Sequence, residues 1–254
     1  MDRTISYPEM DRGVREPGGE PHDVAQSSGV GRRVTTDGKF FMRGNARFHF
    51  RGVTYGTFQA RDDGALFPER DRVKRDFADM VDAGFTVVRT YTLPPEDVVE
   101  LAADWGLHLL PDIFYPDWRY LVGVSRNEQR QLVRSAQQDV RLAARRLADA
   151  DHVLALSLGN EIPSDVLRWF GAERIANVLS GLADTVRGED PERLVTYANY
   201  PTAEYLPLES VDFLTFNVFL ERREDFRRYL TRLQHLAGER PLVLGEVGMH
   251  AGEG

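Results

Sequence analysis

At 254 residues, with 42% hydrophobic and 28% charged side chains, the chain has the composition of an ordinary globular protein able to bury a full core. A net charge of -8 without any Lys/Arg block argues against a nucleic-acid groove or an anionic membrane surface as partner. There is no cysteine, which excludes disulfides and thiolate metal sites, and only Lys39 and Lys74 among the 32 basic residues are lysine.

Residues 1–32 are rich in Pro, Gly and acid, as in Arg15-Glu-Pro-Gly-Gly-Glu-Pro21, and are expected to be a disordered tail ahead of a folded domain over 33–254. No apolar leader opens the chain and no segment approaches the ~20 apolar residues of a membrane span. The sequence reads as a cytoplasmic protein or a piece of a longer one. Turn signals at Asp37-Gly38 and Arg43-Gly-Asn45 around Lys39–Met42, with the alternating Arg47–Arg51, predict a β-hairpin leading into a buried strand at Gly52–Tyr55.

Strand and helix patterns then alternate. Val73, Phe77, Met80 and Val81 mark a helix over Arg70–Ala83, stopped by Gly84 and followed by a strand over Phe85–Tyr91. Pro94-Pro-Glu-Asp97 opens a helix to Trp105, and Leu107–Phe114 is a third strand. A long helix over Asn127–Ala150 precedes a strand over Val153–Leu158, and a helix over 171–187 precedes Leu194–Tyr197. Val211–Asn217, a helix over Arg222–Ala237 and Leu242–Leu244 complete the series. Repeated βα units in one direction predict a (β/α)₈ TIM barrel. An open doubly wound sheet would carry a phosphate-binding glycine loop after its first strand, and Gly52-Val-Thr-Tyr-Gly56 is not one. Since the sequence stops eight residues after Glu246, the expectation is a barrel cut after its seventh strand, without the eighth βα unit.

Two glutamates stand out. Glu161 closes Val153-Leu-Ala-Leu-Ser-Leu-Gly-Asn160-Glu161, and Glu246 closes Pro241-Leu-Val-Leu-Gly-Glu246. Each follows a short apolar strand, at the strand end where an α/β barrel keeps its chemistry, and paired carboxylates are the equipment for cleaving a glycosidic bond. The bland alternative for each is a cap on the next helix. No His-x-His or His/Asp spacing suggests a metal site, and no cofactor is called for. Ser157 lacks the first glycine of a nucleophile elbow, and the two lysines fall away from the strand ends that a lyase or aldolase would use.

With the strands in order, the chain resembles the barrel domain of retaining glycoside hydrolases of clan A, the 4/7 superfamily, and family 2 in particular. Asn160-Glu161 and Gly245-Glu246 fall on strands four and seven, Arg89 in Val87-Val-Arg-Thr-Tyr91 on strand two, and Asn217 on strand six. Arg51–Gly56, Gly159–Pro163 and Ala198–Pro201 are similar to barrels that accompany family 2 glycosyltransferases in bacterial polysaccharide proteins. The resemblance implies a carbohydrate substrate and a glycosyltransferase domain or protein as partner. It implies Glu161 as acid/base and Glu246 as nucleophile, with Arg89, Asn160, Asn199 and Asn217 around the sugar, and Tyr91 and Trp118 near the loop ends are aromatic faces of the kind on which sugars stack. Phe219 stands where the family has tyrosine. Two functions follow: a retaining β-glycosidase or transglycosylase on a glucan-like polysaccharide, or a catalytically weak carbohydrate-binding barrel beside a polysaccharide synthase.

Overall fold

The computed structural model describes residues 33–113 and 122–248. In chain order it contains β1 (Val34–Asp37), β2 (Phe40–Arg43), β3 (Ala46–Arg47), β4 (Gly52–Tyr55), α1 (Arg70–Asp82), β5 (Val87–Thr90), α2 (Glu96–Asp104) and β6 (His108–Pro111). There follow α3 (Arg126–Leu147), β7 (Ala155–Asn160), α4 (Ser164–Phe170), α5 (Ala172–Glu189), β8 (Leu194–Asn199), β9 (Leu214–Val218), α6 (Arg223–Ala237) and β10 (Leu242–Val247).

Strands β4-β5-β6 form one parallel sheet and β7-β8-β9-β10 another. Parallel bridges Leu109–Val153 and Asp112–Ser157 join them, so β4 to β10 neighbour one another in the order in which they occur. Among the described residues nothing pairs β10 with β4. The expected barrel, cut after its seventh strand, is therefore met by a mixed α/β fold with seven parallel strands, and no closed barrel forms among the described residues. Every position of β5, β6, β8 and β9 is buried, which is why these segments read as continuous apolar runs. Helices cover the outer face with narrow stripes, Val73 and Phe77 on α1 and Val140, Ala143 and Leu147 on α3. Ser125 and Glu128 start α3 with a reciprocal capping box. Gly84 ends α1 at φ +82, a conformation that a residue with a Cβ resists.

A second, smaller core lies on the inner side of the strands. Val87, Leu110, Leu154, Leu194, Phe213 and Val243, near the strand beginnings, meet Phe41 of β2 there. Phe41 packs edge-on against Phe213 with ring centroids 5.0 Å apart. The N-terminal element thus floors the enclosed space and leaves the strand C-termini as its open end. It is a three-stranded antiparallel sheet, β1-β2-β3, rather than the predicted hairpin, and Arg47–Arg51 is strand only at its first residue. Two further boundaries differ. Strand β7 reaches Asn160, two residues past the predicted end, and the predicted helix over 171–187 is α5, separated from α4 by Gly171 at φ +85. The tail at 1–32 lies outside the described residues. Among them no helix is long and apolar enough to cross a membrane.

The floor also buries charge. Arg193 pairs with Asp190 at 3.1 Å and donates to the carbonyl of Leu147 at 2.6 Å, while Arg33 reaches Asp190 at 2.6 Å and Asp151 at 3.0 Å. His108 of β6 is buried against the Phe48 ring, with Nδ1 unpartnered. Burial, reinforced by Arg43, pushes the His108 imidazole down to about 4. The unfolded chain therefore takes up the proton more readily. The contribution of neutral His108 is intact above the unfolded value near 6.5 and is lost as pH falls toward 4. Between pH 7.5 and 5 this amounts to roughly 2 kcal/mol. In urea titrations at the two pH values, His108→Leu should remove that part of the pH dependence, and an unchanged dependence would refute the assignment.

Candidate active site

The open end is organised around one guanidinium. Arg89 projects from the middle of β5, where in-register pairing with β4 and β6 fixes its backbone, and its side chain is only 4% exposed. Nη2 donates to Asp112 Oδ2 at 2.6 Å and to Asn160 Oδ1 at 2.7 Å. Nη1 donates to Glu246 Oε1 at 2.8 Å and more loosely to Asn217 Oδ1 at 3.4 Å. Burial alone would lower the guanidinium pKa, but Asp112 and Glu246 outweigh it and raise it.

Asn217, buried on β9, makes the second hub. Its amide nitrogen donates to Glu161 Oε1 at 2.8 Å, to Glu246 Oε1 at 3.0 Å and to Asn160 Oδ1 at 3.0 Å. A single nitrogen thus holds one oxygen of each glutamate, so those oxygens lie within roughly 6 Å of each other.

The glutamates arrive by the same local device. Pairing of β7 with β8 slips between Ser157 and Asn160, and pairing of β10 with β9 slips between Leu244 and Glu246. An extra residue at such a slip re-aims the side chains beyond it. A glycine lies in each, Gly159 at φ +133 and Gly245. A Cβ at Gly245 would stand 2.6 Å from Thr215 Cγ2 and 2.8 Å from Asn217 Oδ1, so only glycine lets β10 close on the hub. Glu161 has φ +47, unusual for a residue with a side chain, and is held there by its N–H to the Ala198 carbonyl at 2.9 Å. It does not cap α4, whose N-cap is Pro163 without a side-chain bond.

Five sequence-predicted residues, Arg89, Asn160, Glu161, Asn217 and Glu246, therefore meet in one network, and Tyr91 joins them. The Tyr91 ring lies 5.2 Å from the Arg89 guanidinium, with its phenol close enough to Glu246 to feel that charge. Burial, then the Glu246 charge, pushes the phenol up to about 12. Tyr91 also borders a cavity of about 280 Å³ walled by Tyr55, Phe58 and Phe67. Asn199 is placed differently from the sugar-binding position expected of it. It is fully buried, donates to Ala203 O at 3.1 Å and accepts from the Tyr200 amide at 2.9 Å, so its polar atoms serve the β8 loop. Trp118 lies outside the described residues. Phe219, at the tyrosine position, is 58% exposed.

Asp112 is the site residue that sequence patterning passed over. It lies one residue past β6, 2% exposed, with Oδ1 unpartnered because Ser157 turns its hydroxyl to the Gly159 carbonyl. Burial pushes its carboxyl up to about 6 against the pull of Arg89. The available signal was Pro111-Asp112, an acid at a buried strand end beside the strand of Arg89. Among the described residues no group of three or more metal-type side chains is placed to hold an ion.

No protein-family model matches the chain. A stretch of 89 residues, 34% of the chain, is 28% identical to the 1,3-β-glucanosyltransferase Gel1 of two Aspergillus fumigatus strains, covering 20% of that protein. Solved structures share the fold. A β-glucuronidase from Ruminococcus gnavus in complex with D-glucuronic acid matches 87% of the chain at TM-score 0.71 and 18% identity. A family 2 β-galacturonidase from Eisenbergiella tayi matches 85% at TM-score 0.69 and 15% identity. A Bacteroides uniformis β-glucuronidase covalently bound to a cyclophellitol aziridine matches 86% at TM-score 0.68 and 16% identity. The fold is that of part of these glycosidases. The chain spans about a fifth of the Gel1 protein and between 26% and 38% of these three enzymes.

Proposed function

We propose that this chain cleaves or transfers a β-glycosidic bond by double displacement, as a retaining glycosidase-type domain of the clan A kind. The observation that carries the reading is the Asn217 amide bridging Glu161 and Glu246. Approach of one oxygen of each to within roughly 6 Å suits a nucleophile and an acid/base on one anomeric centre, and supports the closer of the two spacings that paired carboxylates adopt. Glu246, held by Arg89 and Asn217, attacks the anomeric carbon. Glu161, which the Asn217 amide contacts but Arg89 does not, gives its proton to the leaving oxygen and then takes one from incoming water or a sugar hydroxyl. Asn160, on the same strand end, is the hydrogen-bonding partner for the adjacent sugar hydroxyl.

The likeness to Gel1 supports a β-glucan and transfer, while the likeness to glucuronidases supports a uronide and hydrolysis. Incubation with 2-deoxy-2-fluoro-β-glucosyl and β-glucuronyl fluorides, followed by intact-mass and peptide mapping, separates these. The expected result is a stable adduct on Glu246, with the accepted sugar naming the substrate class. A folded chain unlabelled by either, or labelled elsewhere, would overturn the reading. A catalytically weak carbohydrate-binding barrel beside a polysaccharide synthase is the second reading. The exposed phenyl ring of Phe219 favours it, and the joining of Glu161, Glu246 and Arg89 through the Asn217 amide opposes it.

A further inference from the structure

Two carboxylates share the Arg89 guanidinium, and only one of them is reachable by substrate. Asp112 holds Nη2 at 2.6 Å with its side chain 3% exposed, and Glu246 holds Nη1 at 2.8 Å with its side chain 19% exposed. A sugar cannot touch Asp112 without dismantling the network above it. We infer that Asp112 is a positioning residue of this site, the standing counter-ion that keeps Arg89 paired while the Glu246 carboxylate is consumed. The inference rests on the double-displacement reading above.

Charge bookkeeping makes the need explicit. In the first step a Glu246 oxygen forms a bond to the anomeric carbon, the bond from that carbon to the leaving oxygen breaks, and the Glu161 proton goes to the leaving oxygen. Negative charge therefore disappears from Glu246, now an ester, and appears on Glu161. Glu161 is linked to Arg89 only through the Asn217 amide. With Asp112 absent, the buried guanidinium would keep a close counter-ion before the step and lose it after, which opposes formation of the intermediate. With Asp112 in place, the ion pair persists on both sides of the step.

The surroundings fit this role. Arg89 from β5 and Tyr91 just past it, Glu246 from β10, Ser157 from β7 and Glu161 just past it, and Tyr197 from β8 are the titratable, charged or hydroxyl groups around the carboxyl. Of these only Arg89 is cationic. The Glu246 charge raises Asp112, so esterification of Glu246 leaves Asp112 more firmly ionised when it is the sole partner.

Asp112→Asn keeps the shape and removes the charge. Labelling of Glu246 by the fluoroglycosyl fluoride accepted by the wild type should slow about tenfold or more, with its apparent binding constant changed less than about threefold. The acid limb of the labelling rate should move to lower pH, because Arg89 then acts on Glu246 alone. Asp112→Glu, which restores the charge, should return the limb toward its wild-type position. A second measurement needs no variant: carbon-13 carboxyl NMR of the wild type should find Asp112 titrating at lower pH in the Glu246 adduct than in the free protein. Wild-type rate and limb in a folded Asp112→Asn protein, or an unmoved Asp112 titration in the adduct, overturns the inference and leaves the glycosidase reading standing. A wild type that takes no label at Glu246 overturns the reading itself, and the inference with it.

Discussion

Glu161→Gln should lower turnover of an unactivated β-glycoside by on the order of a thousandfold, the scale of a lost general acid. The size of the loss should depend on the leaving group. An alkoxide or sugar oxygen needs the Glu161 proton to depart, whereas a dinitrophenolate leaves without it. With an activated aryl glycoside the first step should therefore survive and the second should fail, because water or an acceptor sugar then lacks its base. Mass spectrometry should catch the glycosyl-enzyme building up in Glu161→Gln, and never in Glu246→Gln. Equal damage with both leaving groups, and no accumulation, would remove Glu161 from the acid/base role. The geometry argues against that outcome, since Glu161 and Glu246 share one amide donor yet only Glu246 touches Arg89.

Arg89→Met should be the most destabilising single change in the fold, at about 3–5 kcal/mol, because it strands a buried carboxylate. Asp112 is 2% exposed and has Arg89 as its cationic partner, and Asn160 and Asn217 would lose a donor with it. Urea denaturation at pH 7 measures the cost. The control is the double variant Arg89→Met with Asp112→Leu, which removes both charges and should recover much of the loss while remaining inactive. If Arg89→Met alone is as stable as the wild type, the ion pair is not what holds the strand ends together.

Periodicity made the alternation of strands and helices readable, because parallel strands buried on both faces appear as unbroken apolar runs. Glu161 and Glu246 were legible for a related reason, since each closes such a run at a strand end, whereas Arg89 and Asn217 were found through the family resemblance. What periodicity does not encode is where a strand gains a residue. The slips at Gly159 and Gly245 decide where the glutamates point, and they follow from close contacts across strands, such as Gly245 against Thr215. Asn199 shows the reverse problem. It stands at a strand end like Asn160, but its amide is satisfied by Ala203 and Tyr200, contacts that depend on how the loop after β8 folds back. Asp112 was hidden because one acid after an apolar strand is common, and only the sheet brings it to Arg89.

Arg89 and Glu246 are 157 positions apart, yet a single hydrogen bond joins them. Neighbouring strands are otherwise consecutive in the chain, so sheet growth can follow the emerging polypeptide on a ribosome, each new strand docking on the one before. The candidate site escapes that order, because Glu246, its proposed nucleophile, arrives on β10, the seventh of the described parallel strands. On the double-displacement reading, nascent chains that stop before β10 leave Arg89 with Asp112, Asn160 and Asn217 but without Glu246, folded in part but chemically silent. Acquisition of activity during synthesis would then be abrupt rather than gradual, and would serve as a clock for the arrival of β10.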